Sequence, residues 1–281
     1  MRLGIFAKTF AGKHPEPVLR AAAAAGFAAV QYNMACSGLP ALPEAVDDDV
    51  VDAIGAAAAA TGVRLCALSA TYNMAHPDPA VRGRGRQSLG VLAKVAADTA
   101  TPLLTLCTGS RDAEDQWRFH RDNASAEAWA DMRAEMEAAV AIAEHHRVDL
   151  GIEPELANVV DSAARARRLI DEIGSPRLRI VLDPANLFET ATLPEQHRVV
   201  AAAIDLLADR IVMGHAKDRT ADGAFATAGT GVLDFDHYLA RLAAAGFDGD
   251  LVTHGLAATE APAVAAFLAG AMRRRGIEVA T

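Results

Sequence analysis

Four side chains of the types that bind metals recur at similar intervals in the second half of the sequence. They are Glu153 in GIEPE, Asp183 in LDPAN, His215 in GHAKD and His254 in VTHG, separated by 30, 32 and 39 residues. One such residue alone is more often a hydrogen-bond acceptor for a loop. Four in succession favour a divalent metal site, because two carboxylates and two imidazoles can coordinate an ion and leave positions open for substrate oxygens.

The rest of the sequence alternates between strand-like and helix-like segments. Short aliphatic and β-branched runs are separated by longer Ala-rich segments of helical periodicity. The predicted strands are 3–6, 29–32, 64–69, 102–107, 149–153, 178–182, 210–213 and 250–253. The predicted helices are 15–25, 48–61, 79–97, 126–145, 162–173, 195–208, 235–245 and 261–275. Each of the four metal-type residues lies at or just beyond the C-terminal end of one of the last four strands.

Eight strand and helix units averaging about 35 residues match a (β/α)8 TIM barrel, whose active sites form at the C-terminal ends of the strands. No change in composition and no Ser- or Pro-rich linker divides the chain, so we predict a single α/β domain over residues 1–281. A doubly wound sheet is disfavoured because no G-x-G-x-x-G string follows the first strand. Gly62 and Gly174 directly follow predicted helices and suit left-handed caps.

The strings GIEPE, LDPANL, GHAKD and GTGVLDF, in this order, resemble the xylose isomerase-like TIM barrel superfamily, which groups sugar isomerases, ketose 3-epimerases and inosose dehydratases. The resemblance covers nearly the whole chain. It implies that Glu153, Asp183 and His215 are metal ligands. The superfamily usually has a Glu after the eighth strand, where this sequence has Thr253-His254-Gly255, so the fourth ligand would be His254.

The resemblance implies proton abstraction beside a metal-polarised carbonyl. We therefore expect a metal-dependent isomerase or epimerase of a sugar or keto-polyol, with Glu153 as ligand and base. His254 could be a ligand or a proton carrier, since its ordinary pKa suits both tasks. Because a second glutamate is missing, proton exchange between two glutamates cannot be assumed. The alternative is a metal-dependent dehydratase or lyase of the inosose dehydratase kind, which the missing glutamate favours.

The donor set also bears on which metal would bind. Oxygen-rich coordination suits Mn²⁺ or Mg²⁺, and a second imidazole from His254 moves the balance toward Mn²⁺, Co²⁺ or Zn²⁺. We expect Mn²⁺ and keep the other three ions as alternatives.

Other polar and aromatic residues at the same rim are candidates for binding a sugar; the polar ones could instead satisfy a loop, and the loop with Trp117 could instead pack against a neighbouring subunit. A long charged loop after the fourth strand carries Trp117, one of two tryptophans, whose indole could stack on a sugar ring. Lys217 could stabilise a developing oxyanion or form an ordinary salt bridge. The full candidate set is Tyr72, His76, Arg111, Trp117, Glu155, Asn158, Asn186, Lys217 and Asp218.

Composition argues against several other classes of protein. The formal charge of −9 is a poor match to nucleic acid, so an endonuclease IV-like nuclease, which shares this barrel, is disfavoured. Three widely spaced cysteines argue against a disulfide framework or a thiolate zinc site and fit a reducing compartment. No signal peptide or membrane span is recognised, so we expect a cytoplasmic protein. A non-catalytic sugar-binding barrel stays open, as does a homo-oligomer.

Overall fold

The computed structural model describes residues 1–280, and its main feature is a closed barrel of eight parallel strands. The barrel strands are β1 (Arg2–Phe6), β2 (Ala29–Tyr32), β3 (Arg64–Ser69), β4 (Leu103–Leu106), β5 (Asp149–Ile152), β6 (Leu178–Leu182), β7 (Ile211–Ala216) and β10 (Asp250–Thr253). Strand β1 pairs with both β2 and β10, which closes the sheet. The predicted (β/α)8 barrel is confirmed.

Each barrel strand is followed by a long helix that packs outside the barrel. The helices are α1 (Pro15–Ala24), α2 (Asp48–Thr61), α3 (Pro79–Asp98), α4 (Ala126–His146), α5 (Ala163–Ile173), α6 (Leu193–Leu207), α7 (Phe235–Ala244) and α8 (Ala261–Arg274). Ser125 and Ser162 begin α4 and α5 by accepting hydrogen bonds from backbone N–H groups of the first turn. Gly62 and Gly174 end α2 and α5 with φ angles of 70° and 72°, which confirms the predicted left-handed caps.

The segment after β6 departs from the prediction in two ways. Strand β7 continues to Ala216 rather than stopping at residue 213, so His215 lies inside the strand, paired with Val252 of β10. A short antiparallel hairpin, β8 (Asp218–Arg219) and β9 (Phe225–Ala226), then precedes α7. Strands of two residues are too short to produce a hydrophobic pattern, which explains why the sequence did not predict them.

The apolar core has two layers. Small helical residues such as Ala22, Ala96 and Ala139 are fully buried in the outer layer and let the helices approach the strands closely. A separate inner cluster comprises Ala29, Cys66, Ala67, Leu103, Val181, Met213 and Val252, all from barrel strands. Small side chains thus fill much of the core, which accounts for an aromatic content of only 5%. Within residues 1–280, no helix has the length and apolarity that crossing a membrane requires.

Candidate metal centre

Glu153, Asp183, His215 and His254 meet at the C-terminal end of the barrel. Each offers one ligand atom, and the four atoms all lie within 4.8 Å of one another. Because side chains alternate between the two faces of a strand, residues two apart share a face. Val181, Met213 and Val252 of the inner cluster lie two residues before Asp183, His215 and His254. The alternation therefore directs these three side chains to the barrel axis.

Glu153 and His215 form one side of the centre. Glu153 Oε1 accepts a hydrogen bond of 2.7 Å from Asn186 Nδ2 and lies 3.3 Å from His215 Nδ1. Burial alone would raise the pKa of Glu153, but the neighbouring His215 imidazole holds that pKa below its usual value. Burial would lower the pKa of His215, and the Glu153 carboxylate instead raises it. Each group thus favours the charged form of the other.

Asp183 and His254 form the other side. Asp183 is fully buried, and its Oδ2 lies 3.2 Å from His254 Nε2 and 3.4 Å from Lys217 Nζ. Burial would raise the pKa of Asp183, but the Lys217 ammonium and the His254 hydrogen bond hold it well below its usual range. Burial lowers the pKa of His254, helped by the positive charges of His215 and Lys217. Asp183 is therefore a carboxylate and His254 is biased toward its neutral form.

The atoms of the cluster fit a divalent cation. His215 Nδ1 is buried and has no hydrogen-bond partner, although it is directed at the Glu153 carboxylate. A buried nitrogen without a partner is costly unless something else satisfies its lone pair. The two carboxylates and two imidazoles are also ligands that Mn²⁺, Co²⁺ and Zn²⁺ accept. The donor set and the unpaired nitrogen both fit a metal ion held by these four residues.

A cavity of about 500 Å³ lies beside the cluster and is lined by Glu153, His215 and His254. Phe6, Trp117 and Phe225 contribute aromatic surface to its wall, and Lys217 and Glu155 contribute charge. Burial, together with the negative charge of Glu153, raises the pKa of Glu155 to about 7. The cavity therefore combines charged groups with aromatic faces, which is the combination that binds hydroxylated rings.

Four of the predicted substrate residues lie in or against this cavity. Trp117, Glu155 and Lys217 line it directly. Asn186 is fully buried behind them, where its amide nitrogen donates to Glu153 and its oxygen accepts from Lys217 Nζ at 3.0 Å. Asn186 thus connects Lys217 to the metal cluster and does not face the open cavity.

Two predicted substrate residues from the loop after β3, Tyr72 and His76, do not line this cavity. Tyr72 is buried against α3, where its ring packs on Gly85 so closely that a Cβ atom there would lie 2.2 Å from it. The Tyr72 hydroxyl faces Glu135 at 3.4 Å. His76 instead braces its own loop, with Nδ1 accepting from Asp78 N and Nε2 meeting Ala113 O at 3.1 Å.

Three further candidates also hold the scaffold and do not line the cavity. Arg111 is buried and pairs with Asp131 at 2.8 Å. Asn158 accepts from Gly109 N at 2.7 Å and donates to Gln116 O. Asp218 is fully buried and its carboxylate accepts four backbone N–H groups, from Arg219, Gly229, Gly231 and Leu233. These residues were predicted because they lie at the rim of the barrel. Their contacts depend on the direction in which each side chain points, which a rim position does not determine.

Three cavity residues on the strands opposite the metal cluster were not predicted from the sequence. Gln31, Ser69 and Thr105 lie two residues after Ala29, Ala67 and Leu103 of the inner cluster, and all three line the cavity. The same alternation that directs Asp183 inward could have found them. Amides and hydroxyls are common at strand ends, so their types alone gave no signal.

Comparison with known proteins agrees with this architecture. The family model described as xylose isomerase-like TIM barrel matches residues 19–269. The sequence has no significant match among curated proteins.

Several solved structures have a similar fold. A D-tagatose 3-epimerase-like protein has a TM-score of 0.79 at 16% identity, covering 98% of this chain and 98% of that chain. The apo form of 3-keto-D-glucoside 4-epimerase from E. coli has a TM-score of 0.76 at 16% identity, covering 96% and 99%. An L-ribulose 3-epimerase has a TM-score of 0.74 at 19% identity, covering 98% and 97%. The family match spans most of the chain, which therefore belongs to the xylose isomerase-like TIM barrel family.

Proposed function

We propose that this protein is a metal-dependent isomerase or epimerase of a sugar or keto-polyol. The observation that carries the proposal is the cluster of Glu153, Asp183, His215 and His254 at the wall of a cavity large enough for a sugar. The likeness in fold to proteins described as sugar epimerases supports a sugar as the substrate. The reaction would begin by removal of a proton from the carbon beside a carbonyl.

Glu153 is the base in this proposal. A divalent cation held by the four-residue cluster would polarise a substrate carbonyl and so acidify the neighbouring C–H bond. Glu153 Oε1 accepts a hydrogen bond from Asn186, whereas Oε2 accepts none from residues 1–280 and can take the proton. Lys217, whose ammonium is fixed by Asn186 and Asp183, supplies positive charge where negative charge develops on the substrate.

A second group must return the proton if the product is an epimer or an isomer. His254 can carry it only if it is not a metal ligand, and Glu155, whose side chain accepts no hydrogen bond from residues 1–280, is the second candidate on the cavity wall. Trp117 and Phe225 would hold the apolar face of the sugar ring, leaving hydroxyls to the polar residues. Variants at His254 and Glu155 separate the two candidates. Loss of the carrier should stop product formation but leave the first proton abstraction, and therefore the exchange with solvent, intact.

Mn²⁺ is the ion we propose, since the site mixes two carboxylates with two imidazoles; Mg²⁺, Co²⁺ and Zn²⁺ are the alternatives. A cytoplasmic location and assembly into a homo-oligomer stay predictions.

The second candidate function is a dehydratase or lyase. His254 at the end of β10 favours it, because an imidazole can protonate a departing hydroxyl group. The two functions share the first proton abstraction and differ in the product.

The test is incubation of the metal-loaded protein with keto-sugars and keto-inositols in D₂O, followed by metal removal and NMR of the products. We expect deuterium at the carbon beside the carbonyl and an isomer or epimer without loss of water. Glu153→Gln should slow the exchange about 10²- to 10⁴-fold. Glu137→Gln, at an ion-paired surface position on α4, is the matched control and should leave the rate unchanged.

Other outcomes identify the alternatives. An elimination product would replace the leading function with the second. Sugar binding that is equally tight with and without metal, and without exchange, would contradict both and indicate a non-catalytic binding barrel. Cleavage of abasic DNA by the metal-loaded protein would indicate a nuclease.

A further inference from the structure

We propose that Gln31 is a positioning residue for the metal site, an inference that rests on the proposed metal dependence. Gln31 holds the His215 ring with a proton on Nε2, so that the lone pair of Nδ1 is left for the metal. The two ring nitrogens of a histidine ligand are distinct, and the partner of the distal nitrogen decides which one binds the ion.

The contacts of Gln31 are those of a buried, fully engaged amide. Gln31 lies on β2 with 8% of its surface exposed, and its Oε1 is 2.9 Å from His215 Nε2. Its Nε2 donates to Ser69 Oγ at 3.0 Å and to Thr105 Oγ1 at 3.1 Å. Both amide hydrogens and the amide oxygen therefore have partners within the barrel.

The unpaired His215 Nδ1 decides between the two orientations of this amide. With the amide reversed, its NH₂ group would donate to Nε2, and the neutral imidazole would carry its proton on Nδ1. That proton would lie on the nitrogen that faces the Glu153 carboxylate, 3.3 Å away, and would prevent Nδ1 from coordinating an ion held by the cluster. With Nε2–H donating to Gln31, no donor is left unsatisfied, and Nδ1 faces the ligand atoms of the cluster.

The position of Gln31 makes this contact rigid. Gln31, Ser69 and Thr105 belong to β2, β3 and β4, which are neighbours in the barrel sheet. Three strands therefore fix one amide, and the amide fixes the ring on β7 from across the barrel. A neutral amide also accepts the Nε2 proton without adding charge beside a site that already holds two carboxylates.

The direct test is NMR of protein with ¹⁵N-labelled histidine, loaded with Zn²⁺ or ¹¹³Cd²⁺. We expect His215 to keep a proton on Nε2 and to show metal coordination, including coupling to ¹¹³Cd, on Nδ1. Coordination through Nε2 would overturn the inference whatever the behaviour of any variant, because Gln31 would then have no proton to accept.

The second readout is metal affinity measured by calorimetry without substrate. Gln31→Met keeps the length of the side chain and removes the acceptor, and should weaken Zn²⁺ binding about 10- to 100-fold. Gln31→Glu keeps an acceptor and should restore most of the affinity and the Nε2-protonated signal. Gln196→Met, the same change at a buried glutamine on α6, is the control and should bind metal like the wild type.

The outcomes separate this inference from the proposed function. Wild-type protein that binds metal while Gln31→Met binds it equally well would overturn the role of Gln31 alone. A higher KM for sugar in Gln31→Met with unchanged metal affinity would likewise make Gln31 a substrate contact instead. Wild-type protein that binds no divalent metal would overturn both. The thermal unfolding transition of each variant shows whether that variant is folded.

Discussion

The two halves of the barrel rim carry different chemistry. The strands β5, β6, β7 and β10 present ionisable side chains at their ends, namely Glu153, Asp183, His215 and His254. The strands β2, β3 and β4 present neutral side chains at the corresponding inward positions, namely Gln31, Ser69 and Thr105. Both halves line the same cavity, so a ligand bound there lies between a charged wall and a neutral wall.

This difference suggests a division of labour. The ionisable half has the groups to bind a cation and move protons, since its four ligand atoms lie within 4.8 Å of one another. The neutral half can only donate and accept hydrogen bonds, and its amide is already committed to His215. Substitutions in the two halves should therefore impair the activity in different ways.

The largest expected effect is at Asp183 in the ionisable half. Asp183→Asn removes one ligand charge and the partner of both His254 and Lys217, so we expect complete loss of metal-dependent turnover. Thr105→Val in the neutral half removes one hydrogen bond to Gln31, worth about 1 kcal/mol, and should reduce turnover no more than about tenfold. Steady-state kinetics with saturating metal would measure both. Equal losses of turnover in the two variants would contradict different roles for the two halves of the rim.

The second-largest effect is expected at Asp218, which holds the backbone of the loop that follows β7. Asp218→Asn replaces one of the oxygens that accept four backbone N–H groups, and leaves buried donors facing an NH₂ group. We expect the free energy of unfolding to fall by about 2 to 3 kcal/mol, as measured by urea denaturation. Asp205→Asn, at an exposed ion pair on α6, should change it by less than about 1 kcal/mol. An Asp218→Asn variant of normal stability that has lost only sugar binding would contradict this role and would instead support Asp218 as a substrate residue.

A smaller effect is expected at the aromatic wall. Trp117 is 50% exposed and lines the cavity, whereas its neighbour Phe119 is 67% exposed and does not. Trp117→Ala should raise KM about tenfold with little change in kcat, because it removes an aromatic face worth about 1 kcal/mol. Phe119→Ala should leave KM unchanged. The same rise in KM in both variants would assign the effect to loop order and not to stacking.

The smallest effect is expected at Tyr72. Tyr72→Phe removes only the hydroxyl that faces Glu135, so the free energy of unfolding should fall by about 1 kcal/mol or less and KM should not change. Thermal unfolding and steady-state kinetics measure the two quantities. A rise in KM of several-fold would contradict this expectation and would support the prediction that Tyr72 binds the substrate.

The sequence predicted the barrel and its metal-type residues because both depend on strong local patterns. Alternating strands and helices specify the architecture. In this fold, the C-terminal end of every barrel strand lies at the rim where active sites form. Asp183 and His215 could be assigned to that rim from their spacing alone. Their side chains then converge because each follows an inward-facing apolar residue two positions earlier.

Residues outside the strands were harder to predict, because a rim position does not determine where a side chain points. Tyr72 and Trp117 both follow a strand, yet Tyr72 packs on α3 and Trp117 lines the cavity. The hairpin after β7, which brings Phe225 to the cavity, has no periodic signal because its strands have two residues each. Alternation along β2 could have placed Gln31 in the cavity, but the role proposed for it depends on a contact with His215, 184 residues away, which no local pattern predicts.

The central claim is that the ionisable half of the rim holds one divalent cation. Calorimetric titration of metal-free protein with Mn²⁺ tests it most directly, with the Glu153→Gln, Asp183→Asn double variant as the comparison. We expect one ion bound per chain in the wild type and no binding in the double variant. Absence of binding in the wild type, or equal binding by the double variant, would contradict it.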